Sequence, residues 1–460
     1  MNLLLKALFR LLWTVPLTFP FLSSEAIARD DTQSETKQIF PSKKRYQDIS
    51  IGPFRLDLGA NIRLRHEYQA GFDVRRYEPG MTDHFLLTRI MLDLNLRFDP
   101  DRRVFVQFRD AHALGTRLDR KDFSKSNPLE DLWDIRQAYF EWRRIAGGHF
   151  DLKVGRQQIS YGDQRIFGPG LWGNTGRYAW DAAMLRINTS RTWVDVWLGR
   201  PIENRPELWP NRAFKAPTAF VVYGGVKKLP CRLDIFFAGK YDGRARTDGE
   251  SGKGTLRSNS IGFQLQKQAS EWLDFTGSLV GQTGRYGKDT IRAFGANSSM
   301  GVTLPLKWRP RLAGQFTWGS GDSNPVDGVH GTFDGVFGGA DINFYGDLNL
   351  FFWANLRDYE FDLHLHPGPK VKLMIENHYF TLDQARDAWY TTGMAVLRRD
   401  ATGLSGKALG DEVNVRLSWQ PTEGLEILIG YGHFFSARFV NATGPAKAAS
   451  GYFFQAAYGF

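Results

Sequence analysis

Apolar and polar residues alternate with a period of two along most of this chain. In FRLDLGANIRLR (residues 54–65), every even position is apolar and most odd positions are charged or polar. Successive side chains of a β-strand point to opposite faces, so this segment is predicted to be a strand with one apolar and one charged face. The alternation recurs in LTRIMLDLNLRF (87–98), KVKLMIENHYF (370–380), EVNVRLSW (412–419) and GYFFQAAYGF (451–460).

The connections between the predicted strands also alternate, between short and long. Short polar turns fall near residues 99–102, 144–148, 189–191, 228–231, 268–271, 307–310, 366–369 and 420–424. Longer Gly/Asp/Asn-rich connections fall near 68–83, 112–131, 157–182, 200–217, 241–257, 283–290, 319–345, 382–410 and 436–449. Eight turns and nine loops give seventeen connections, hence about 18 strands (16–18). This is the pattern of a transmembrane antiparallel β-barrel with short periplasmic turns and long extracellular loops.

A large soluble all-β fold, such as a propeller or a jelly roll, is the alternative. A propeller would show a repeat of about 40 residues, and none is visible. The chain also ends on Phe460 in step with Tyr458, Phe454 and Tyr452, which resembles the C-terminal signature of bacterial outer-membrane barrels and predicts recognition by the barrel-assembly machinery. Tryptophans near strand ends predict interfacial girdles: Trp142, Trp193, Trp272, Trp308 and Trp419.

The N-terminus predicts export from the cytoplasm. Lys6 and Arg10, an apolar run and the small residues Ala26 to Ala28 have the order of a secretory signal peptide, predicted over residues 1–28. Residues 29–52 are polar and predict a flexible segment, and residues 53–460 predict the barrel. The predicted location is the outer membrane of a Gram-negative bacterium, in contact with its lipid.

The polar positions of each strand, here called the inward parity, predict which residues line the lumen. The inward parity carries a series of cations: Arg55, Arg63, Arg65, Arg89, Arg97, Arg103, Arg109, Lys153, Arg186, Arg232, Arg311, Lys370, Lys372 and Arg416. The matching anions are Asp57, Glu67, Asp93, Glu141, Asp151, Asp195, Asp234, Asp274, Asp362, Glu376 and Glu426. Most of these charges are expected to pair across strands. A barrel of this size can hold a water-filled channel, and its formal net charge of +10 favours an anionic solute.

One segment departs from strand alternation. GRQQISYGDQRIFGP (155–169) is followed by Trp172, Asn174, the Gly176-Arg177 pair and Asp181, and it is expected to fold back against the lumen wall. The segment resembles the most recognisable motif of the alginate-export family of outer-membrane β-barrels. The resemblance implies an 18-stranded barrel that passes an anionic polysaccharide, with these motif positions: Arg156, Gln157, Tyr161, Gly162, Asp163, Gln164, Arg165, Asn174, Arg177 and Asp181. Gln158 stands where the family often has an acidic residue. The motif could equally anchor a loop.

Other constellations are weaker. Asp322, Asp327 and Asp334 lie among glycines and could bind calcium, although the segment lacks the spacing of an EF-hand loop, and a solvated extracellular loop is the simpler interpretation. His364, His366 and His378 could bind a metal ion, although partly solvated lumen histidines are the simpler interpretation. No Gly-x-Ser-x-Gly or His-Glu-x-x-His run is present, so no enzyme and no cofactor are predicted.

The predicted function is therefore passive, selective passage of an anionic, alginate-like polyuronate through an arginine-rich lumen. The expected pathway residues are the motif positions together with Arg63, Arg65, Arg89, Arg97 and Arg109. The alternative is a selective porin for small carboxylates, sugars or other organic solutes, and a surface adhesin is a further reading that would not need a charged interior. A monomer is expected, with periplasmic secretion components as a further class of partner. Nucleic acid is excluded, since the cations alternate along strands instead of forming a patch.

Overall fold

The computed structural model describes residues 46–72, 82–123, 126–215, 218–338, 344–391, 394–445 and 448–460. The predicted signal peptide lies outside these residues. Residues Ile49–Ile51, at the end of the segment predicted to be flexible, form a short strand that pairs with residues 54–56. Within the described residues, no helix has the length and hydrophobicity needed to cross a membrane.

Eighteen antiparallel strands close into a barrel, as the alternation predicts. They are β1 Phe54–Ala70, β2 Thr82–Arg97, β3 Arg102–Leu114, β4 Asp131–Arg144, β5 Phe150–Gln157, β6 Trp180–Asn188, β7 Thr192–Pro201, β8 Thr218–Val226, β9 Arg232–Gly249, β10 Gly252–Ser270, β11 Leu273–Gly287, β12 Asp289–Thr303, β13 Arg311–Gly319, β14 Leu356–Gly368, β15 Val371–Leu382, β16 Ala408–Thr422, β17 Leu425–Ser436 and β18 Ala449–Gly459. Each strand pairs with the next, and β1 pairs with β18 from Asn61↔Gly459 to Ala70↔Ser450. The described elements also include two short α-helices, α1 Ile145–Gly148 and α2 Arg438–Thr443, and a 3-10 helix, Arg120–Asp122.

The barrel has the inside-out polarity of a membrane protein. On the outward parity, large apolar side chains such as Leu94, Ile261 and Phe294 are exposed, and Ile261 retains 60% of its accessible surface. On the inward parity, charged residues such as Arg63 and Asp93 are buried. Hydrocarbon accepts the apolar face and offers no hydrogen bonds to the backbone, which explains why the sheet closes without a free edge.

The predicted tryptophan girdle is correct at four of its five positions. Trp142, Trp272, Trp308 and Trp419 are exposed near the short-turn end. The prediction is wrong for Trp193, which stacks on Tyr161 and Tyr223 inside the barrel. Trp193 shares the parity of Asp195, a residue assigned to the lumen, so the alternation itself places it inward.

Two of the predicted long loops are strands. Residues near 241–257 extend β9 and β10 to a two-residue turn after Gly249, and residues near 283–290 extend β11 and β12 to a turn at Lys288. A strand that continues beyond the membrane has no apolar face to bury, so its composition resembles that of a loop. The other seven long connections lie where they were predicted, although the one beginning near 319 continues to residue 355.

Two connections fill much of the lumen. The first lumen loop (158–179) and the described parts of the second lumen loop (320–338 and 344–355) fold inward. They meet where the backbones of Phe167 and Phe337 form a β-bridge. Phe333 and Trp353 of the second loop are fully buried. The second loop is therefore not the solvated extracellular loop that its glycines and aspartates predicted, and the lumen is not a wide water-filled channel. Aromatic burial stabilises both loops inside the barrel.

Candidate functional site

The first lumen loop is anchored by a tight turn at its start. The Tyr161 backbone N–H donates to the Phe167 carbonyl (3.1 Å), and the Gln164 N–H donates to the Tyr161 carbonyl (3.0 Å). The Tyr161 hydroxyl donates to Asp195 on β7 (2.8 Å), and its ring stacks on Tyr223 at 3.9 Å. This predicted motif residue therefore fixes the loop to the wall.

Gly162 permits a close approach to the opposite strand. Its φ is +61°, and a Cβ there would lie 1.8 Å from Gln264 Oε1 on β10. Gln264 donates to the neighbouring Asp163 carboxylate (3.4 Å) and accepts from the Tyr223 hydroxyl (3.0 Å). With glycine at position 162, the loop packs against the Gln264 side chain without a clash and adopts a positive φ without strain.

Arg165 ties the loop to the far wall. Its guanidinium donates to Gln315 Oε1 on β13 (3.1 Å) and lies 4.3 Å from the centre of the Phe344 ring in the second lumen loop. The Asp163 carboxylate accepts from the Arg165 backbone N–H at 3.0 Å. Asp163 and Gln164 line a lumen cavity, whereas Arg165 is almost fully buried.

Three arginines on β1 and β2, Arg63, Arg65 and Arg89, form a cluster around the tip of the first lumen loop. Arg63 donates to the carbonyls of Trp172 (3.2 Å) and Gly173 (2.8 Å). Arg89 donates to the carbonyls of Leu171 and Gly173, both at 3.4 Å. Among the described residues, neither Arg63 nor Arg89 forms an ion pair with a carboxylate. Backbone oxygens, and for Arg63 also the side-chain oxygen of Asn174, therefore hold these two cations.

The third arginine of this cluster is sandwiched between aromatic rings. The Arg65 guanidinium lies 4.3 Å from the centres of both the Trp172 and Phe453 rings, and it pairs with Glu67 at 2.7 Å. Cation–π contacts of this kind hold an arginine in a fixed orientation. Arg416 on β16 approaches the same indole at 5.7 Å. The Trp172 ring thus lies close to cations from two parts of the barrel wall, Arg65 on β1 and Arg416 on β16.

Asn174 and Arg109 fix the loop tip in place. Asn174 Oδ1 accepts from Arg63 (3.0 Å), and its Nδ2 donates to the carbonyls of Thr88, His112 and Leu129 (3.2, 3.1 and 2.7 Å). Arg109 is buried and donates to Asp131, to the Thr175 carbonyl and to Asn204. Both residues therefore stabilise the loop.

Two cavities meet at Trp172. One, of about 690 Å³, lies toward the short turns and is lined by Arg63, Arg89, Trp172, His364 and Lys372 among others. The other, of about 140 Å³, lies toward the long loops and is lined by Arg65, Trp172 and Asp347 among others. The Trp172 indole lines both spaces, with Arg65 on the side of the smaller cavity and Arg63 and Arg89 on the side of the larger one.

Comparison with known proteins identifies the family of this barrel and structures with a similar fold. The family model described as alginate export matches residues 54–453. The chain belongs to the alginate export family. None of the curated protein sequences matches it. Solved structures with a similar fold include Acinetobacter baumannii OccAB2, at 9% identity with a TM-score of 0.58, covering 88% of this chain and 98% of that one. Pseudomonas aeruginosa OccK2 (OpdF) matches at 10% identity and a TM-score of 0.57, with the same coverage. At these identities the likeness shows the fold alone.

Two predicted pathway residues of this alginate export family barrel do not face the lumen. Arg156 and Asp181 pair across β5 and β6 on the outward parity, next to the exposed Val154. Arg156 donates to Asp181 (2.9 Å) and to the Asn211 carbonyl (2.7 Å), so it ties two strands and a loop together outside the lumen. The prediction that this pair faces the lumen is wrong. Residues three apart on a strand face opposite sides, so the inward assignment of Lys153 already placed Arg156 on the outside.

The remaining predicted residues are spread along the barrel. Gln157 is buried and donates to the Ala182 carbonyl (3.1 Å). Arg177 lies 5.7 Å from the Tyr178 ring, and Arg97 pairs with Asp57 (2.7 Å) near the short-turn end. Cross-strand ion pairs hold most of the other inward cations, including Arg103–Glu141, Arg186–Asp195, Arg311–Asp274 and Arg416–Glu376.

An acidic wall faces the same lumen and was only partly predicted. Asp358 and Glu360 on β14 and Glu412 on β16 are buried and were not assigned, although they share the inward parity of Asp362 and Asn414. His378 Nδ1 lies 3.1 Å from Asp358. Asp358, Glu360 and His378 place their ligand atoms within 4.8 Å of one another, close enough to hold a metal ion. Arg416 joins this wall to the second lumen loop through Asp347 (2.9 Å).

The predicted calcium loop is organised differently. Asp334 pairs with Lys240 at 2.6 Å, Asp327 accepts from the Val329 N–H, and Asp322 accepts from the backbone N–H groups of Asn324 and Gly331. In the part of the chain that the structure describes, neither group of potential metal ligands includes these three carboxylates. They organise the second lumen loop.

Proposed function

We propose that this barrel is a passive, selective outer-membrane channel for small anionic organic solutes, about the size of one sugar acid, that pass the arginine cluster. The observation that carries the proposal is the state of Arg63 and Arg89, which line the larger cavity and are held by neutral oxygens of the first lumen loop instead of carboxylates. A solute carboxylate can form shorter, charge-assisted hydrogen bonds with the same donors.

The hydrogen bonds that such a solute would replace have neutral acceptors, and those of Arg89 are long. Arg89 reaches two loop carbonyls at 3.4 Å, at the long end of the hydrogen-bonding range. A carboxylate arriving from the larger cavity therefore competes with neutral acceptors and not with a buried ion pair. Release is equally easy because the loop carbonyls return to the arginines. A channel needs binding sites that are weak and exchangeable in this way.

Passage of a polyuronate is the second candidate, and membership of the alginate export family favours it. A polymer would need a continuous path, whereas Trp172 separates the two cavities. Polymer export therefore requires movement of the segment around Trp172. Passage of a small solute needs a smaller displacement of the segment around Trp172, and we therefore rank it above polymer export.

The test is a bilayer recording with three solutes. We would reconstitute the full chain in planar bilayers and measure anion selectivity, then block of the current by a monomeric uronate, a uronate trimer and a long polyuronate. The proposal expects anion selectivity and block by the monomer, both reduced in the Arg63→Gln/Arg89→Gln variant. The matched control is Arg55→Gln, an exposed cation on the same parity of β1 at the short-turn end.

The outcomes separate the two candidates. Block by the polymer, with the monomer inert at the same uronate concentration, would favour the exporter. Cation selectivity, or equal block of the double variant and the native chain by the monomer, would contradict a role for the arginine cluster.

A further inference from the structure

A second group of arginines lies on the outside of the barrel, facing the membrane instead of the lumen. Arg257 on β10, Arg285 on β11 and Arg292 on β12, here called the arginine band, are all exposed. The three strands are neighbours, and all three residues lie near the long-loop end of the barrel.

The strand register shows which face the arginine band occupies. Ile261, Gly281 and Phe294 lie directly opposite one another across the three strands, and Ile261 and Phe294 are exposed apolar side chains of the lipid-facing parity. Two residues further toward the long loops, the next outward row is Asn259, Thr283 and Arg292. Two residues beyond that, it is Arg257, Arg285 and Thr290. The arginines therefore continue the lipid-facing surface beyond its apolar rows.

The spacing places the arginine band at the depth of lipid headgroups. Each step of two residues advances about 7 Å along a strand, or roughly 5 Å along the membrane normal at a tilt of about 40°. The Arg292 row thus lies roughly 5 Å beyond the last apolar row, within a headgroup region that is about 5–7 Å thick on each side. The row of Arg257 and Arg285 lies roughly 10 Å beyond the last apolar row, just outside that thickness, at the outer surface of the headgroups. Tyr241 on β9, directly opposite Arg257, has the amphipathic ring typical of that boundary.

The arginine band lacks acidic partners within the described residues. Arg257 and Arg285 are directly opposite each other, an arrangement in which like charges destabilise a strand pair. In the described part of the chain, Arg285 donates to the Lys288 carbonyl (3.2 Å) and to Thr290 Oγ1 (3.4 Å) and to no carboxylate. Two carboxylates at the same strand ends have other partners, because Asp242 pairs with Arg244 and Asp289 accepts from the N–H groups of Glu250 and Ser251. An external anion would remove the repulsion.

We propose that the arginine band binds the phosphate groups of the phosphorylated glycolipid that forms the outer leaflet of the outer membrane. Guanidinium groups match phosphate geometry bidentately, and the apolar rows below the band are placed to contact the acyl chains of the same molecule. The proposal uses the membrane location of the barrel and is independent of what passes through the lumen.

The test compares lipid forms and variants of the full chain in detergent. We would measure binding of bis-phosphorylated lipid A, monophosphoryl lipid A and fully dephosphorylated lipid A by native mass spectrometry. The triple variant Arg257→Gln/Arg285→Gln/Arg292→Gln is compared with Arg191→Gln/Lys307→Gln/Arg309→Gln, which removes three exposed cations at the short-turn end. Heat-modifiable migration on a gel checks that each barrel is folded, and channel conductance should be unchanged.

The expected result is that the native chain prefers the bis-phosphorylated form and that the triple variant binds it about tenfold more weakly, with the control unchanged. Equal affinity of the native chain for phosphorylated and dephosphorylated lipid would overturn the proposal, as would an unaffected triple variant. Inorganic phosphate at the same concentration should not compete. If it does, the band is a free-anion site and the lipid assignment fails.

Discussion

Replacing Asn174 with Ala should release the tip of the first lumen loop. Asn174 is buried, and its two amide hydrogens are shared among the carbonyls of Thr88, His112 and Leu129, while its Oδ1 accepts from Arg63. The substitution therefore removes about two neutral hydrogen bonds and one to a charged donor, at about 0.5–1.5 and 1.5–3 kcal/mol respectively. Relaxation of the loop reduces this sum, so we expect a local loss of about 3 kcal/mol.

Amide hydrogen exchange measures that loss directly. The N–H groups of Thr175, Arg177 and Tyr178 donate to the carbonyls of Pro128 and Pro169, and they become free when the tip opens. A local loss of about 3 kcal/mol raises their exchange rates by about two orders of magnitude if opening limits exchange. The control is Asn188→Ala, which removes a hydrogen bond to Asp151 (3.0 Å) at the short-turn end. Equal protection of these amides in the native chain and the Asn174 variant would refute the view that Asn174 holds the loop.

Three further changes test other parts of the lumen. Gly162→Ala should destabilise the barrel by about 1–3 kcal/mol in urea titration, since a Cβ at a φ of +61° would meet Gln264. The control Gly314→Ala should have little effect, because there is open space around Gly314. Trp172→Ala joins the two cavities and should raise single-channel conductance, while the outward Trp142→Ala should not; equal conductance would mean that the indole is not the constriction. Burial and the neighbouring Asp322 raise the pKa of Glu250, at the turn between β9 and β10, to about 7. Because this folded-state pKa lies above the ordinary value of about 4.5, the contact of this turn with the second lumen loop should weaken as pH rises from about 4.5 to 7. Urea titration at several pH values should show this loss of stability, and Glu250→Gln should remove it.

The sequence by itself determined the barrel and the direction of most strand side chains. Alternation is a local property, since neighbouring side chains of a strand point to opposite faces whatever the rest of the molecule does. Residues 54–65 and 451–460 therefore reveal their lumen and lipid faces without a structure. The predictions for Arg156 and Trp193 failed because the alternation was not followed consistently. The inward assignment of Lys153 places Arg156 outside, and the inward assignment of Asp195 places Trp193 inside.

Only the tertiary structure decided what occupies the lumen. Glycine-rich connections such as 320–355 resemble solvated loops in composition, and their aromatic residues find partners only across the barrel, as Phe337 does with Phe167. The same distant contacts decide which cations remain without carboxylate partners. Arg311 and Arg416 are paired with acids, whereas Arg63 and Arg89 meet a loop more than 80 residues away along the chain. Contacts of this kind depend on how closed strands and inward loops are placed in space, which no local pattern of residues encodes.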